Sequence, residues 1–194
     1  MSFVARSLYN HSGKRLYLTP SERARFLEAI EHQAPETRTF AKFLVLTGCR
    51  VSEALSVRAE HIDFEEKRVA IETLKQRRRG VWRRIPLPDS FLQELKEAHG
   101  LHNNGQCKRL WSFQRTTAYE RIKSIMTDAA VLGPQACPKG LRHTFGTHAV
   151  LNDIPLTILM SWMGHSRIQT TQIYLQLSGE EEYSIASRMW QKTT

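Results

Sequence analysis

Residues 139–143 read Lys139-Gly140-Leu141-Arg142-His143, and further on residues 163–174 read Met163-Gly164-His165-Ser166-Arg167-Ile168-Gln169-Thr170-Thr171-Gln172-Ile173-Tyr174. Apolar spacing predicts helices at about 141–151, 155–163 and 168–175. One end of the chain thus sets a lysine, an arginine, two histidines and a tyrosine on or beside successive helices. Each has a plainer reading when taken alone. Arg142 is then a salt-bridge partner, His165 a helix-terminal histidine, and Tyr174 an amphipathic tyrosine on a helix.

Working outward, 133–138 reads as a linker and about 116–132 as a helix with Ala118, Ile122, Ile125 and Met126 on one face. Residues 110–113 read as a short edge strand, 99–108 as a loop, and Pro88-Asp89 starts a helix through about Ala98. Arg68 to Thr73 alternates as a half-buried strand does, and Val81 to Leu87 is its partner. Between and beside them stand Lys75, Arg77, Arg78, Arg79, Arg83 and Arg84, read as a phosphate-gripping hairpin or as a merely solvated one. Thr19-Pro20-Ser21-Glu22 opens a helix as a capping box, with Phe26, Ile30 and Ala29 inward. A second helix covers about 36–46, with Phe40, Phe43, Leu44 and Leu46 inward and Gly48 able to end it. Thr47-Gly48-Cys49-Arg50-Val51-Ser52-Glu53 follows, with a short helix over about 51–55. A last helix spans about 180–190. The expected fold is α+β: mainly helical with one small antiparallel sheet.

The composition bounds what such a chain does. Its 194 residues carry 28 Lys and Arg against 19 Asp and Glu, a net charge of +9 that favours a polyanionic partner, nucleic acid first. The 41% of hydrophobic residues suffices for a real core. There is no run of about 18 apolar residues and no apolar core near Met1, so neither a membrane span nor a signal peptide is expected, and the expected compartment is the cytoplasm. Cys49, Cys107 and Cys137 are isolated, which suggests reduced, buried thiols rather than a zinc site or disulfides. His143, His148 and His165 lack ligand spacing on one helix face, so no metal and no cofactor is expected.

Four segments in this order resemble the tyrosine recombinase (phage integrase) family. They are the arginine segment Thr47 to Glu53, a hairpin lysine, the box Lys139 to His143, and Gly164-His165 followed by Thr171 and Tyr174. The family pattern is T-G-x-R-x-x-E, a lysine, H-x-L-R-H, and G-H-x-x-x-x-x-T-x-x-Y. The likeness covers about Thr19 to Ser187, and its four boxes in order are far more specific than any one of them. Lys139 departs from the commoner histidine.

The resemblance implies that Tyr174 attacks phosphorus and holds the DNA as a 3′-phosphotyrosine, so that the same site reseals the strand without metal or ATP. Arg50 and Arg142 would clamp the non-bridging oxygens as negative charge develops on them. His165 would hydrogen-bond the same phosphate, and Lys75 would protonate the departing 5′ oxygen. Lys139 would relay the tyrosine proton or hold the phosphate, while Glu53 supports Arg50 and His143 supports the site from behind. The implied partner is double-stranded DNA, bound by a chain that is monomeric in free solution and tetrameric on DNA. The expected division is an arm at 1–18, the catalytic domain at 19–178, and a tail helix at 179–194 that docks on a neighbouring subunit or on its own domain. With so short an arm, the chain reads as a short recombinase or as the catalytic domain of a longer protein. Rival readings are a DNA-binding protein of the same fold without turnover, and a relaxing enzyme like the type IB topoisomerases.

Overall fold

The computed structural model describes residues 7–74, 80–101, 108–176 and 180–191, with side chains in the last stretch from 182 to 188. Lys75, Arg77, Arg78, Arg79 and Cys107 therefore lie outside the described residues, as do the side chains of Met189 and Trp190.

Helix α1 spans Pro20–Glu31, and its capping box forms as the sequence dictates. The Thr19 hydroxyl accepts from the Glu22 amide at 3.2 Å, and the Glu22 carboxylate accepts from the Thr19 amide at 2.9 Å. Phe26 and Ile30, one turn apart, are both fully buried. Helix α2, Pro35–Thr47, buries Phe40, Phe43 and Leu44 and ends at Gly48 in the left-handed conformation. Gly48 is needed twice over, because a Cβ there would also lie 2.4 Å from the Phe145 ring. The backbone then turns into the four-residue helix α3, Val51–Ala54.

Strands β1 (Ile62–Asp63), β2 (Arg68–Glu72) and β3 (Trp82–Pro86) form one antiparallel sheet in that order. The register pairs Val69 with Ile85 and Ile71 with Arg83. Helix α4 (Asp89–His99) buries Phe91, Leu92 and Leu95 and closes on left-handed Gly100. Helix α5 is Arg115–Asp128, α6 is Pro138–Leu151 and α7 is Leu156–Met163. Helix α8 (Gln169–Gln172) passes into a 3-10 turn at Ile173–Leu175, and α9 is Glu180–Gln191. Two apolar clusters hold these together. The larger lies among α1, α2, the sheet, α4 and α5, and the smaller gathers Leu8, Tyr17, Leu159, Met163, Ile173 and Tyr174.

Several expectations are corrected. No strand forms at 110–113; its backbone pairing stops at the bridge Arg58–Arg109. The segment instead drives Trp111 into the core, where its indole N–H donates to Thr39 Oγ1 at 3.1 Å. Helix α5 stops at Asp128 rather than near Leu132. Ala130 adopts a left-handed φ of 51°, and the Val131 amide closes back on the Met126 carbonyl. An alanine in that role carries no glycine signal. Helix α6 starts at Pro138 rather than near Leu141, which takes Pro138 out of the linker and places Lys139 on the first turn. The arm is not separate from Ser7 onward: Leu8, Tyr17 and Leu18 are buried, and the Leu18 amide donates to Thr144 Oγ1 at 2.8 Å. Cys49 is buried as expected, whereas Cys137 is only half-buried.

Candidate active site

Three of the four motif segments converge on one cleft of about 1270 Å³, bordered by Arg50, Lys139, Arg142, His143, His165 and Tyr174. Arg50 is the N-cap residue of α3. Its guanidinium donates to Glu53 Oε1 at 2.7 Å and its amide to Glu53 Oε2 at 3.0 Å, while the side chain stays 28% exposed toward the cleft. Glu53 is fully buried. Burial opposes its ionisation, but Arg83 and Arg50 outweigh that and hold the carboxyl below the ordinary carboxylate range.

Arg142 projects from α6 one turn after Lys139. It donates to the Gly48 carbonyl and to the Met163 carbonyl, each at 2.7 Å, and its Nη2 lies 3.0 Å from His165 Nε2. Burial, and after it the nearby Arg50, lower the Arg142 guanidinium to about 10, so it remains a cation at neutral pH. A guanidinium has only donors. His165 Nε2 is therefore the acceptor in this contact, and Nδ1 carries the hydrogen that Thr171 Oγ1 accepts at 2.9 Å. Thr171, fully buried on α8, thus fixes the imidazole, which explains why that position belongs to the motif.

Tyr174 sits on the 3-10 turn and is 1% exposed. Its hydroxyl lies 3.5 Å from His143 Nδ1. Its ring lies flush on Gly146 of α6, where a Cβ would stand 2.4 Å from the ring. Lys139 is exposed at the cleft edge.

One expectation about the basic hairpin is overturned. Arg84 is exposed, but Arg83 is only 6% exposed and points inward, opposite Ile71 and in phase with Ile85. It pairs with Glu53, and nucleic acid cannot reach it. The alternation of β3 carried that signal. The cleft wall also includes residues the sequence did not single out: Tyr9, Asn10 and His11 from the N-terminal segment, and Arg115, Tyr119 and Glu120 from α5. Arg115, Tyr119 and Glu120 are exposed in the first turns of α5, and neither they nor the N-terminal residues offered a pattern to the sequence reading. Among the described residues no group of His, Cys, Asp or Glu could hold a metal ion, and no helix is long and apolar enough to cross a membrane.

This constellation is matched by a known family: the sequence pattern of the phage integrase family covers residues 16–181. The chain belongs to the phage integrase family. It is 28% identical over 171 residues to the tyrosine recombinase XerA of Pyrococcus furiosus, which covers 84% of this chain and 58% of that relative. The chain spans about three-fifths of the length of the curated relatives it matches. A crystal structure of XerA recombinase superposes with a TM-score of 0.76 at 21% identity, covering 89% of this chain and 64% of that one. The XerH site-specific recombinase, in a pre-cleavage complex with its difH substrate, gives a TM-score of 0.68 at 20% identity over 94% of this chain and 59% of that one. The fold is that of the tyrosine recombinase catalytic domain, mainly helical with a small antiparallel sheet.

Proposed function

We propose that this chain is a site-specific DNA recombinase that cuts and rejoins duplex DNA through Tyr174. One observation carries the reading: Arg50, Arg142 and His165, from three separate segments, are held beside Tyr174 on a single cleft. Two guanidinium cations suit a phosphate whose non-bridging oxygens gain charge in the transition state.

Tyr174 Oη bonds to phosphorus while the bond from phosphorus to the 5′ oxygen breaks. The phenolic proton passes to a base, for which His143 Nδ1 is within reach at 3.5 Å. Lys75 supplies a proton to the departing 5′ oxygen. The 3′-phosphotyrosine keeps the energy of the broken linkage, so attack by a 5′ hydroxyl of another strand reseals the DNA without ATP. Lys139, exposed at the rim, suits holding the phosphate. Arg84 and the basic residues 77–79 add phosphate contacts along the duplex. On DNA four copies close around two duplexes, whereas the free chain is a monomer acting in the cytoplasm.

Random-sequence duplexes with a nick beside the cleavage point would test the activity, since loss of the short strand traps the covalent product. DNA attached to protein after denaturation is the expected result, undiminished in excess EDTA. Tyr174→Phe keeps the ring on Gly146 and should retain DNA binding with no adduct. An adduct that persists in this variant, or cleavage that needs added magnesium, overturns the proposal.

A further inference from the structure

We infer that Arg83, on strand β3, is a positioning residue that locks Arg50 and His165 into one rigid unit; the inference rests on the cutting-and-rejoining reading above. Its guanidinium spends its donors in three directions. Nη2 donates to Glu53 Oε2 at 2.7 Å, Nη1 to Thr73 Oγ1 at 2.9 Å, and Nε to the Trp162 carbonyl at 2.7 Å. Each acceptor belongs to a different part of the site. Glu53 holds Arg50 through its other oxygen. Thr73 directly follows strand β2, two residues before Lys75. Trp162 lies in the last turn of α7, just before Gly164 and His165.

The α7 terminus makes the arrangement specific. Its carbonyls at Trp162 and Met163 are taken by Arg83 and Arg142 respectively. Two cations thus satisfy consecutive carbonyls at the negative end of a helix, where both hydrogen bonding and the helix dipole favour them. Gly164 makes the approach possible: its φ is 63°, and a Cβ there would stand 3.0 Å from Thr73 Oγ1 and 3.2 Å from Arg83 Nη1. The Arg83 side chain is 4% exposed and cannot touch DNA. Its effect on the reaction passes through the groups it aligns.

Only a planar fork spans three acceptors so arranged; a lysine keeps the charge but not the geometry. Arg83→Lys is therefore the decisive variant, read by single-turnover cleavage of trapped substrates at saturating protein, by gel-shift affinity and by thermal melting. The expected result is cleavage slower by roughly 10- to 100-fold, with affinity nearly unchanged. If Arg83 works through the site, its loss also costs much less once Arg50 is lysine, because that partner is already misaligned. A purely structural residue would lower the melting temperature while its effect on rate multiplied fully with that of Arg50→Lys. Should Arg83→Lys fail to fold, Thr73→Val removes one acceptor alone and should slow cleavage several-fold without weakening binding. Full-rate cleavage by the folded Arg83→Lys, by Thr73→Val where the lysine variant does not fold, or full multiplication with Arg50→Lys, overturns this inference and leaves the activity standing. Absence of any adduct with the unaltered chain overturns both.

Discussion

Arg142 and His165 are hydrogen-bonded to each other, Nη2 to Nε2 at 3.0 Å. The contact orients the imidazole with Nε2 as acceptor, and Thr171 holds its other nitrogen. An incoming phosphate oxygen would meet an arginine whose remaining donors are already directed by the Gly48 and Met163 carbonyls. Preorganisation of this kind lowers the reorganisation required when charge develops. Arg142→Lys keeps one charge but cannot reach two carbonyls and an imidazole together. Cleavage at saturating protein should slow by about 10²-fold or more. A change in DNA affinity with an intact cleavage rate would make Arg142 a binding residue only.

Gly146 decides where Tyr174 can sit. Alanine inside a helix is ordinarily favoured over glycine by about 1 kcal/mol. Here its methyl would overlap the Tyr174 ring at 2.4 Å, and overpacking costs about 1–3 kcal/mol where nothing yields. The ring is a side-chain end on a short 3-10 turn, so it yields by swinging off α6. Gly146→Ala should therefore keep its fold and DNA affinity while adduct formation falls by roughly 10²-fold, the usual effect of displacing a reacting group by about 1 Å. Unimpaired covalent capture in this variant would mean that the ring's seat on α6 does not set its reactivity.

The helices and the strand were legible because they rest on local signals, whereas the expectation that the boxes share one site came from the family resemblance. Thr19 and Glu22 announce a capping box, Gly48 announces a helix end, and the alternation from Arg68 to Glu72 announces a strand. What escaped the sequence depends on tertiary choice. Ala130 takes a left-handed turn that only the burial of Val131 explains. Trp111 makes a loop where its neighbours' β propensity suggested a strand. Leu8 and Tyr17 look like parts of a polar arm until Tyr174 and Met163 supply a surface for them. Arg83 was misplaced for another reason: a cluster of like charges suggested a solvated face, but strand parity puts Arg83 with Ile85, and the carboxylate that makes its burial tolerable lies 30 residues away in sequence.

Among the described side chains, Arg188 ties α9 to its own domain. Arg188 pairs with Asp153 at 2.7 Å, with side chains 37% and 79% exposed, and also donates to the Leu151 carbonyl. An ion pair so open to water contributes only about 0–1 kcal/mol. Tyr183 is 66% exposed on the same helix. We propose that α9 exchanges this seat for one on a neighbouring subunit when copies are brought together on DNA. Deleting residues 180–194 should spare binding to a single site and abolish cooperative pairing of two sites, measured by gel shifts on one-site and two-site duplexes. If the shortened chain pairs two sites as well as the intact one, α9 serves only its own domain.

Glu53 gives the site a stability that depends on acidity. It faces Arg83 and Arg50 at 2.7 Å each, and its side chain is fully buried. Removing one partner of a buried pair costs about 3–5 kcal/mol, because the other charge is left uncompensated. Glu53→Gln keeps the shape and deletes the charge, so near pH 7 it should be destabilised by about that amount. The folded state holds the carboxyl below its ordinary value of 4.5. The unfolded chain then binds the proton more readily than the folded one, and the contribution of Glu53 is fully present above 4.5 and is lost as the pH falls through the depressed folded value. Denaturant titrations of both proteins from neutral pH downward should give a gap that is constant at first and narrows only below that point. A gap that is already closed at pH 6, or one that widens on acidification, would show that the carboxylate is not the charge that keeps Arg83 and Arg50 in place.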